Sequence, residues 1–598
     1  MISRTATEKV LISPETESAR FQTDLLKRFL VYFKPYKKIL LLMYVAALIN
    51  VATFIAIPIV IQIGIDRNIM NGDYVGLVQT GALLLALLVL LFVAGRTQGV
   101  LMMKVGYRVI RDLRDDLFSH LQALSFRFFD TQKIGKLMSR ITNDVQVFEE
   151  LLRAGLDTIV VDVVLIISII AAMLFLDPWL STVLLFTIPG FAFVVFVLQR
   201  HLLRAGRRIQ RELSHVNAFL NESIAGIRVI RAFAREDENV TTFKTINDDY
   251  WREAKSLYPL LSLFWQSVAT IGTLGPTLVL LIGGILLSRG LVTIGVIAAF
   301  LAYVNRFFQP MQKISNMLNQ VSRAMASAER IFEILDIKTT VADSPLAREI
   351  PRIQGQVEFQ NVSFAYNEGE YVSRDLSFHV QPGETIAIAG PTGSGKTTII
   401  NLLCRFYDPV KGRILVDGVP LTEISQKSYR RKIALVMQDP HVFSGTIADN
   451  IRFGNPGADD AAIRQVAETM GIADMIESLP DGYQHDIGER GSRISLGQRQ
   501  LLAFARALIR NPAILILDEA SSYLDSESER LVHEATRTLC RGRTSFVIAH
   551  RLSTIQHADR ILVLDSGRLV EQGSHTELLA LNGLYANLVR TQYGGSVD

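Results

Sequence analysis

Gly390-Pro391-Thr392-Gly393-Ser394-Gly395-Lys396-Thr397 fits the spacing G-x-x-x-x-G-K-[ST]. It follows an apolar run, Thr385 to Ala389, that reads as a strand, and it opens a helix-like stretch containing Thr398. Glycines there let backbone N–H groups close on phosphate oxygens, and a helix N-terminus adds partial positive charge. Lys396 can reach the β- and γ-phosphates of ATP, and Thr397 can ligate Mg²⁺. A chance glycine-rich loop is the alternative; the Lys, the Thr and the preceding strand argue against it. Further on, Ile514 to Leu517 reads as an apolar strand ending in Asp518 and Glu519. Asp518 is placed to hold Mg²⁺, directly or through water. Glu519 is placed as general base for an attacking water. Two carboxylates after a strand could be loop polarity, but the phosphate loop upstream favours the chemical reading.

These groups need a scaffold that ends strands beside one another. From Gly355 onward, short β-rich runs alternate with helical stretches: Val357 to Phe359, Thr385 to Ala389, Ile433 to Met437, Ile514 to Leu517, Ser545 to Ala549 and Ile561 to Leu564. Continuous apolar strands suit a sheet buried on both faces. Residues 355–598 are therefore expected to form one α/β domain. Residues 336–354, charged and proline-containing, read as a linker.

The preceding residues, 1–335, are of another kind. The whole chain has a mean hydropathy of +0.27, which argues against disorder and toward a membrane protein. Its charge, 62 − 58 = +4, lacks the strong basic excess of a nucleic-acid binder. Two cysteines, Cys404 and Cys540, make neither a disulfide scaffold nor a metal cluster. The polar start, Met1 to Asp24, has no apolar core of a cleavable signal peptide.

A bilayer-spanning helix needs about 20 apolar residues. Six stretches are candidates: Ile39 to Ile65, Tyr74 to Gly95, Val163 to Leu176 (extended by Thr158 to Val161 across Asp162), Pro178 to Gln199, Leu260 to Leu287 and Leu291 to Val304. A buried soluble helix is the alternative for any one of them, and so many in half a chain disfavour it. Lys104 to Arg153 holds nine Lys/Arg and Arg200 to Lys255 holds eleven, while the loops between the other spans are nearly bare. The positive-inside rule then puts both termini and both long connections in the cytoplasm. Each connection favours helix, and two antiparallel helices of about 25 residues would reach roughly 35 Å out of the membrane.

Other residues make the chain resemble ABC ATPases. Ile494-Ser495-Leu496-Gly497-Gln498 is similar to the L-S-G-G-Q signature and lies 20 residues before Asp518. Gln438 in V-M-Q-D resembles the Q-loop, Asp525 in S-Y-L-D the D-loop, His550 in I-A-H-R the switch histidine, and Tyr366 in F-A-Y the adenine-stacking aromatic. The membrane half resembles the exporter branch, including F-F-D at Phe128 to Asp130 and S-R-I-T-N-D at Ser139 to Asp144. The resemblance spans Leu30 to Tyr593. It implies a half-transporter: an α-helical, six-span transmembrane domain fused to an α/β P-loop ATPase domain of the ABC type.

The resemblance also implies a dimer that sandwiches two ATPs, with the P-loop of one subunit facing Ser495, Gly497 and Gln498 of the other. Gly390, Thr392, Gly393, Ser394, Gly395, Lys396, Thr397 and Thr398 would hold the phosphates, and Asp525 would join the ATP site at the dimer contact. Thr397, Gln438 and Asp518 would hold Mg²⁺. Lys396, Gln438, Glu519 and His550 would carry the chemistry, His550 by holding the γ-phosphate and positioning water. Short helices at the tips of the two hairpins, around Phe128 to Gly135 and Ser223 to Ala234, would seat on the ATPase domains. Glu489, in I-G-E-R-G before the signature, would pair with hairpin arginines.

Leu496 and Ile494 depart from the commonest signature, and Tyr523 replaces a small D-loop residue. Retention of Glu519 and His550 favours a homodimer over a heterodimer with one degenerate site. Asp162, within a span, is a functional candidate by default. Phe264, Trp265, Gln266, Phe300, Tyr303 and Phe307 could line an aromatic cavity or simply pack helices. About 37 polar residues precede the first span, which disfavours a peptidase-bearing exporter. The expected function is ATP-driven export of hydrophobic or amphipathic molecules, drugs or lipids, across a bacterial cell membrane. Import of a metal–siderophore-like cargo and ATP-gated regulation are the alternatives.

Overall fold

A computed structural model describes residues 19–153, 156–345, 347–367, 369–518, 526–548 and 555–593. The chain divides into two compact units. One comprises residues 1–122 and 135–336, the other residues 123–134 and 337–598.

The first unit is helical. Its elements are α1 (Ala19–Val31), α2 (Lys37–Ile63), α3 (Tyr74–Ala123), α5 (Ile134–Ser139), α6 (Val145–Arg153), α7 (Leu156–Leu176), α8 (Val183–Ala225), α9 (Ile227–Ala232), α10 (Glu236–Ser288) and α11 (Ile294–Leu335); α4 (Phe126–Thr131) falls in the second unit. Among the described residues, four helical stretches are long and apolar enough to cross a membrane: Lys34–Ile69, Tyr74–Ala123, Leu180–Ala225 and Glu236–Ser288. Val160–Leu176 and Ile294–Phe307 are apolar but shorter. Large apolar side chains stand exposed along these helices, among them Leu41, Leu85 and Phe92. In water such a surface would be costly; it suits lipid. Prolines at 58, 189, 259, 276 and 310 lie inside helices, which membrane helices tolerate when neighbours satisfy the freed carbonyls.

Spans and hairpin arms are not separate helices. α3, α8 and α10 run without a break from their apolar parts through the basic connections, over 50, 43 and 53 residues. The arms of the second hairpin are tied by Arg208–Glu253 at 3.1 Å and by a bond between Ser223 and Asn239 at 3.2 Å. Phe300, Tyr303 and Phe307 are fully buried in the helix packing, and the Tyr303 hydroxyl donates to the Ile55 carbonyl at 2.6 Å. They pack helices rather than line a cavity. Asp162 is buried on α7.

Two turns of π-helix, Gly64–Ile69 and Arg140–Asp144, interrupt the helical run. Each carries a carboxylate bound to α11. Asp66 accepts from Thr293 Oγ1 at 2.5 Å and from Gly295 N at 2.8 Å. A Cβ on Gly295 would meet the Asp66 carboxyl at 2.6 Å, so the close approach needs glycine. Asp144 is buried and accepts from the Arg330 guanidinium, with Nε at 3.0 Å and Nη2 at 2.5 Å, and from Ser327 Oγ at 3.0 Å.

The second unit holds two sheets. One is antiparallel, in the order β2 (Tyr371–Val380), β1 (Val357–Ala365), β4 (Lys411–Val416), β5 (Val419–Pro420). The other runs β10 (Arg568–Gly573), β9 (Arg560–Asp565), β3 (Thr385–Ala389), β8 (Thr544–Ile548), β7 (Ile514–Asp518), β6 (Ile433–Val436). β3, β6, β7, β8 and β9 are mutually parallel. Their apolar residues are almost fully buried, as continuous apolar runs require. Its helices include α12 (Lys396–Leu403), α13 (Gln426–Arg430), α14 (Ile447–Arg452), α15 (Asp460–Thr469), α16 (Ala473–Glu477), α17 (Leu496–Ile509) and α18 (Ser526–Cys540).

Residues 337–354 are fastened to this second unit. Asp343 accepts from the wholly buried Arg405 at 3.2 Å and from Gln426 N at 3.1 Å, and Val341 and Ile353 are buried. A charged sequence read as a linker is thus pinned by its own carboxylate.

Candidate nucleotide-binding site

Parallel strands end at the same sheet edge, so the segments after them converge there. After β3 comes the loop of residues 390–395, and then α12. Gly390, Gly393 and Gly395 have φ of +149°, +82° and +102°, a region that glycine enters without steric cost. Gly395 caps α12, whose apolar face (Ile399, Ile400, Leu402, Leu403) is buried. The first N–H groups of a helix have no intrahelical acceptors, so they point out of the loop as anion donors.

Several observations fit triphosphate to this loop. Ser394 is buried, and its hydroxyl has no hydrogen-bond partner among the described residues. A Cβ on Gly393 would meet nothing within 4 Å, so space lies in front of the loop. Thr392 and Thr397 are exposed, while Thr398 is buried. Lys396 Nζ donates to the carbonyls of Gly390 and Pro391 at 2.8 and 2.9 Å. Burial lowers its pKa, and the charge of Asp518 opposes that shift. Asp518, the last residue of β7, therefore lies within electrostatic reach of the lysine. Gln438 is exposed just after β6, the neighbour of β7.

Tyr366 stands over the start of α12. Its hydroxyl accepts from Asn401 Nδ2 at 3.0 Å and lies 3.4 Å from Thr398 Oγ1. Its ring meets Phe364 and Tyr407 edge-on, at 4.8 and 5.2 Å. The structure thus brings Tyr366, the phosphate loop, Asp518 and Gln438 to one edge. Ser495, Gly497 and Gln498 belong to another helix. Ser495 is the N-cap of α17: its Oγ accepts from Gln498 N at 3.2 Å, and Gln498 Oε1 accepts from Ser495 N at 2.8 Å. Ser495 is exposed and Gly497 buried. Glu519, Tyr523, Asp525 and His550 lie outside the described residues. Glu489 is exposed, and its carboxylate makes no hydrogen bond or ion pair among the described residues.

Some participants carried no sequence signal. Asn401 holds Tyr366, and Tyr407 supports it, yet neither belongs to a recognisable spacing. Beside them, Phe126 stacks on Phe406 at 3.9 Å and the Tyr407 hydroxyl donates to Asp130, joining α4 to this unit. Phe406 also lines a 330 Å³ cleft of this unit, together with Met437, Phe443, Phe453 and Arg506.

The chain matches the family described as ABC transporter transmembrane region over residues 40–311 and that described as ABC transporter over residues 373–522. It is 40% identical, over 96% of its length and 95% of the relative's, to the uncharacterized ABC transporter ATP-binding protein YknV of Bacillus subtilis. The chain belongs to the ABC transporter family. Other relatives of this ABC transporter are named for cargo. A probable multidrug resistance ABC transporter ATP-binding/permease protein, YheH of Bacillus subtilis, is 40% identical over 83% of the chain and 74% of the relative. A fatty acid ABC transporter ATP-binding/permease protein of Mycobacterium bovis is 37% identical over 88% and 83%. A bacterial Atm1-family ABC exporter solved with ATP bound superposes with a TM-score of 0.77 at 29% identity, covering 94% of this chain and 99% of that one. This ABC transporter is therefore an exporter-type half-transporter, an integral membrane protein that binds ATP and couples its hydrolysis to transport. Half-transporters of this kind work with a second half-transporter.

Proposed function

We propose that this half-transporter exports hydrophobic or amphipathic molecules, drugs or lipids, across a bacterial cell membrane, as a homodimer with six spans per chain (residues 1–335) and its ATPase domains (residues 355–598) in the cytoplasm. The fusion of a lipid-suited helical unit to a phosphate loop beside Asp518 carries this reading. Names of relatives that include multidrug and fatty acid transport support the cargo class. Exposed Thr397 and Gln438 and half-buried Asp518 offer the oxygen donors Mg²⁺ prefers. When bound, Mg²⁺ would neutralise phosphate charge. Glu519 follows β7 in the chain and would take the proton of the attacking water; His550 follows β8 and would hold the γ-phosphate. The exposed Ser495 hydroxyl at the start of α17 suits the γ-phosphate of the partner's ATP, and Asp525 would join that site at the dimer contact.

α9 has no buried residue, and Val229 and Phe233 are 61% and 75% exposed. It would seat in the apolar cleft of Phe443 and Phe453 on the second half-transporter. The test is purified chain in proteoliposomes, with ATP-dependent uptake of the amphipathic dye Hoechst 33342 and of a fluorescent fatty acid. Uptake of either, lost in Glu519→Gln, supports export. A stable dimer that hydrolyses ATP but moves neither would overturn the cargo class, and an inert monomer would overturn the homodimer.

A further inference from the structure

Phe126 and Asp130 are four residues apart, so they share one face of α4. That face meets two adjacent residues, Phe406 and Tyr407, which follow α12. Phe406 stacks on Phe126 with planes 23° apart, and the Tyr407 hydroxyl donates to Asp130 Oδ2. Ser125 and Thr340 add a hydroxyl pair at 2.8 Å. Tyr407 is itself buried, and its ring stands edge-on to Phe364 at 5.3 Å and to Tyr366 at 5.2 Å, the latter at 89°. One side chain thus touches both the aromatic beside the phosphate loop and a carboxylate on the tip of the first hairpin.

We infer that Tyr407 is a positioning residue that reports adenine binding at Tyr366 to α4 through its hydrogen bond to Asp130. The inference rests on the reading of Tyr366 as the adenine platform. Tyr366 is held by Asn401 at its hydroxyl, so its ring has few ways to respond to a stacked base. An adenine on its open face presses or locks the ring against the edge of Tyr407. Edge-to-face pairs depend on geometry, with optimal centroid separations of about 4.5–7 Å. A hydrogen bond to a carboxylate is similarly directional and stronger than a neutral one. Together they couple ring position to helix position. The relay bypasses Gln438, which senses the phosphate end of the site, and it would let the membrane-connected hairpin distinguish a bound nucleotide from a bound polyphosphate.

The test is hydrogen–deuterium exchange over residues 126–131 in the full-length protein in nanodiscs, without ligand, with AMP-PNP and Mg²⁺, and with inorganic triphosphate and Mg²⁺. AMP-PNP should slow exchange about tenfold, the worth of one charged hydrogen bond, and triphosphate should not. Tyr407→Phe keeps the ring against Tyr366 and loses only the hydroxyl; it should abolish that protection. Asp130→Ala, at an exposed position, should match it, the double variant should be no worse, and Asp130→Asn, whose amide oxygen still accepts, should retain part. Full protection in Tyr407→Phe, no protection in the unaltered chain, or equal protection by triphosphate would each overturn the relay. Tyr366→Ala separates the two readings. An unchanged KM for ATP would overturn the adenine platform itself, whereas a raised KM with protection intact in Tyr407→Phe would overturn only the relay.

Discussion

α4 and α9 are both six-residue helices at hairpin tips, and they differ in what covers them. α4 buries Phe128, stacks Phe126 and bonds Asp130 within the unit that contains the ATPase. α9 buries nothing and presents Ile227, Val229 and Phe233 outward. Its hairpin is well made below the tip, where Phe219 and Phe243 stack at 6.3 Å and Arg208 pairs with Glu253. The bare tip is therefore a built surface on an ordered support. Two similar devices, one satisfied within the chain and one not, mean that the chain is half of an assembly.

The largest expected effect strikes both tips alike. Glu519→Gln should cut steady-state ATPase by about 10²–10⁴-fold, the usual worth of a general base, with nucleotide affinity unchanged in a binding titration. If turnover persisted, neither tip would be driven by hydrolysis. The next effect separates the tips. Phe233→Asp should weaken docking roughly tenfold or more, since burying a Phe is worth about 1.5–3 kcal/mol. Dye uptake should fall while the thermal midpoint barely moves. A lowered midpoint would mean that α9 is covered within its own chain.

Phe126→Ala should behave oppositely. It removes a stacked pair worth about 0.5–1.5 kcal/mol beyond its buried area, so the unfolding midpoint in calorimetry should drop. The smallest effect belongs to Arg28 and Asp336, bonded in a fork at 2.7 Å. Arg28 holds the Asp336 carboxyl below its ordinary range, chiefly by hydrogen bonding. A depressed carboxylate contributes stability that is full above the ordinary range and is lost as pH falls through the lowered value. Both side chains are about half exposed, at 43% and 58%, so the pair is worth under about 1 kcal/mol. Asp336→Asn should flatten the acid side of a stability–pH curve below pH about 4 and change little at neutrality.

The parallel strands were legible because burial on both faces writes a continuous apolar run, as in Ile514 to Leu517. β2, β4 and β10 were not. β2 mixes exposed Arg374 and Asp375 with buried Leu376, and β10 alternates half-buried with exposed residues; both pair antiparallel with shifted register. The phosphate loop was legible because its glycine spacing is tied to chain geometry, and α2 and α3 because lipid permits no charge. The π turns at Gly64 and Arg140 were hidden, since their cause is a carboxylate reaching α11 from more than 180 residues away. Asp130 and Tyr407, 277 residues apart, have no local pattern that could pair them.

The bond from Asp144 to Arg330 has a mechanical reading. It rivets the returning limb of the first hairpin to α11, a rod of 42 residues that spans about 63 Å at 1.5 Å per residue. Asp144 is nearly buried and takes hydrogen bonds from both Arg330 and Ser327, while the Arg330 side chain is 44% exposed. Shear between hairpin limb and rod therefore meets a stiff joint. Force arriving along that limb should turn the rod as a whole instead of dissipating as local bending.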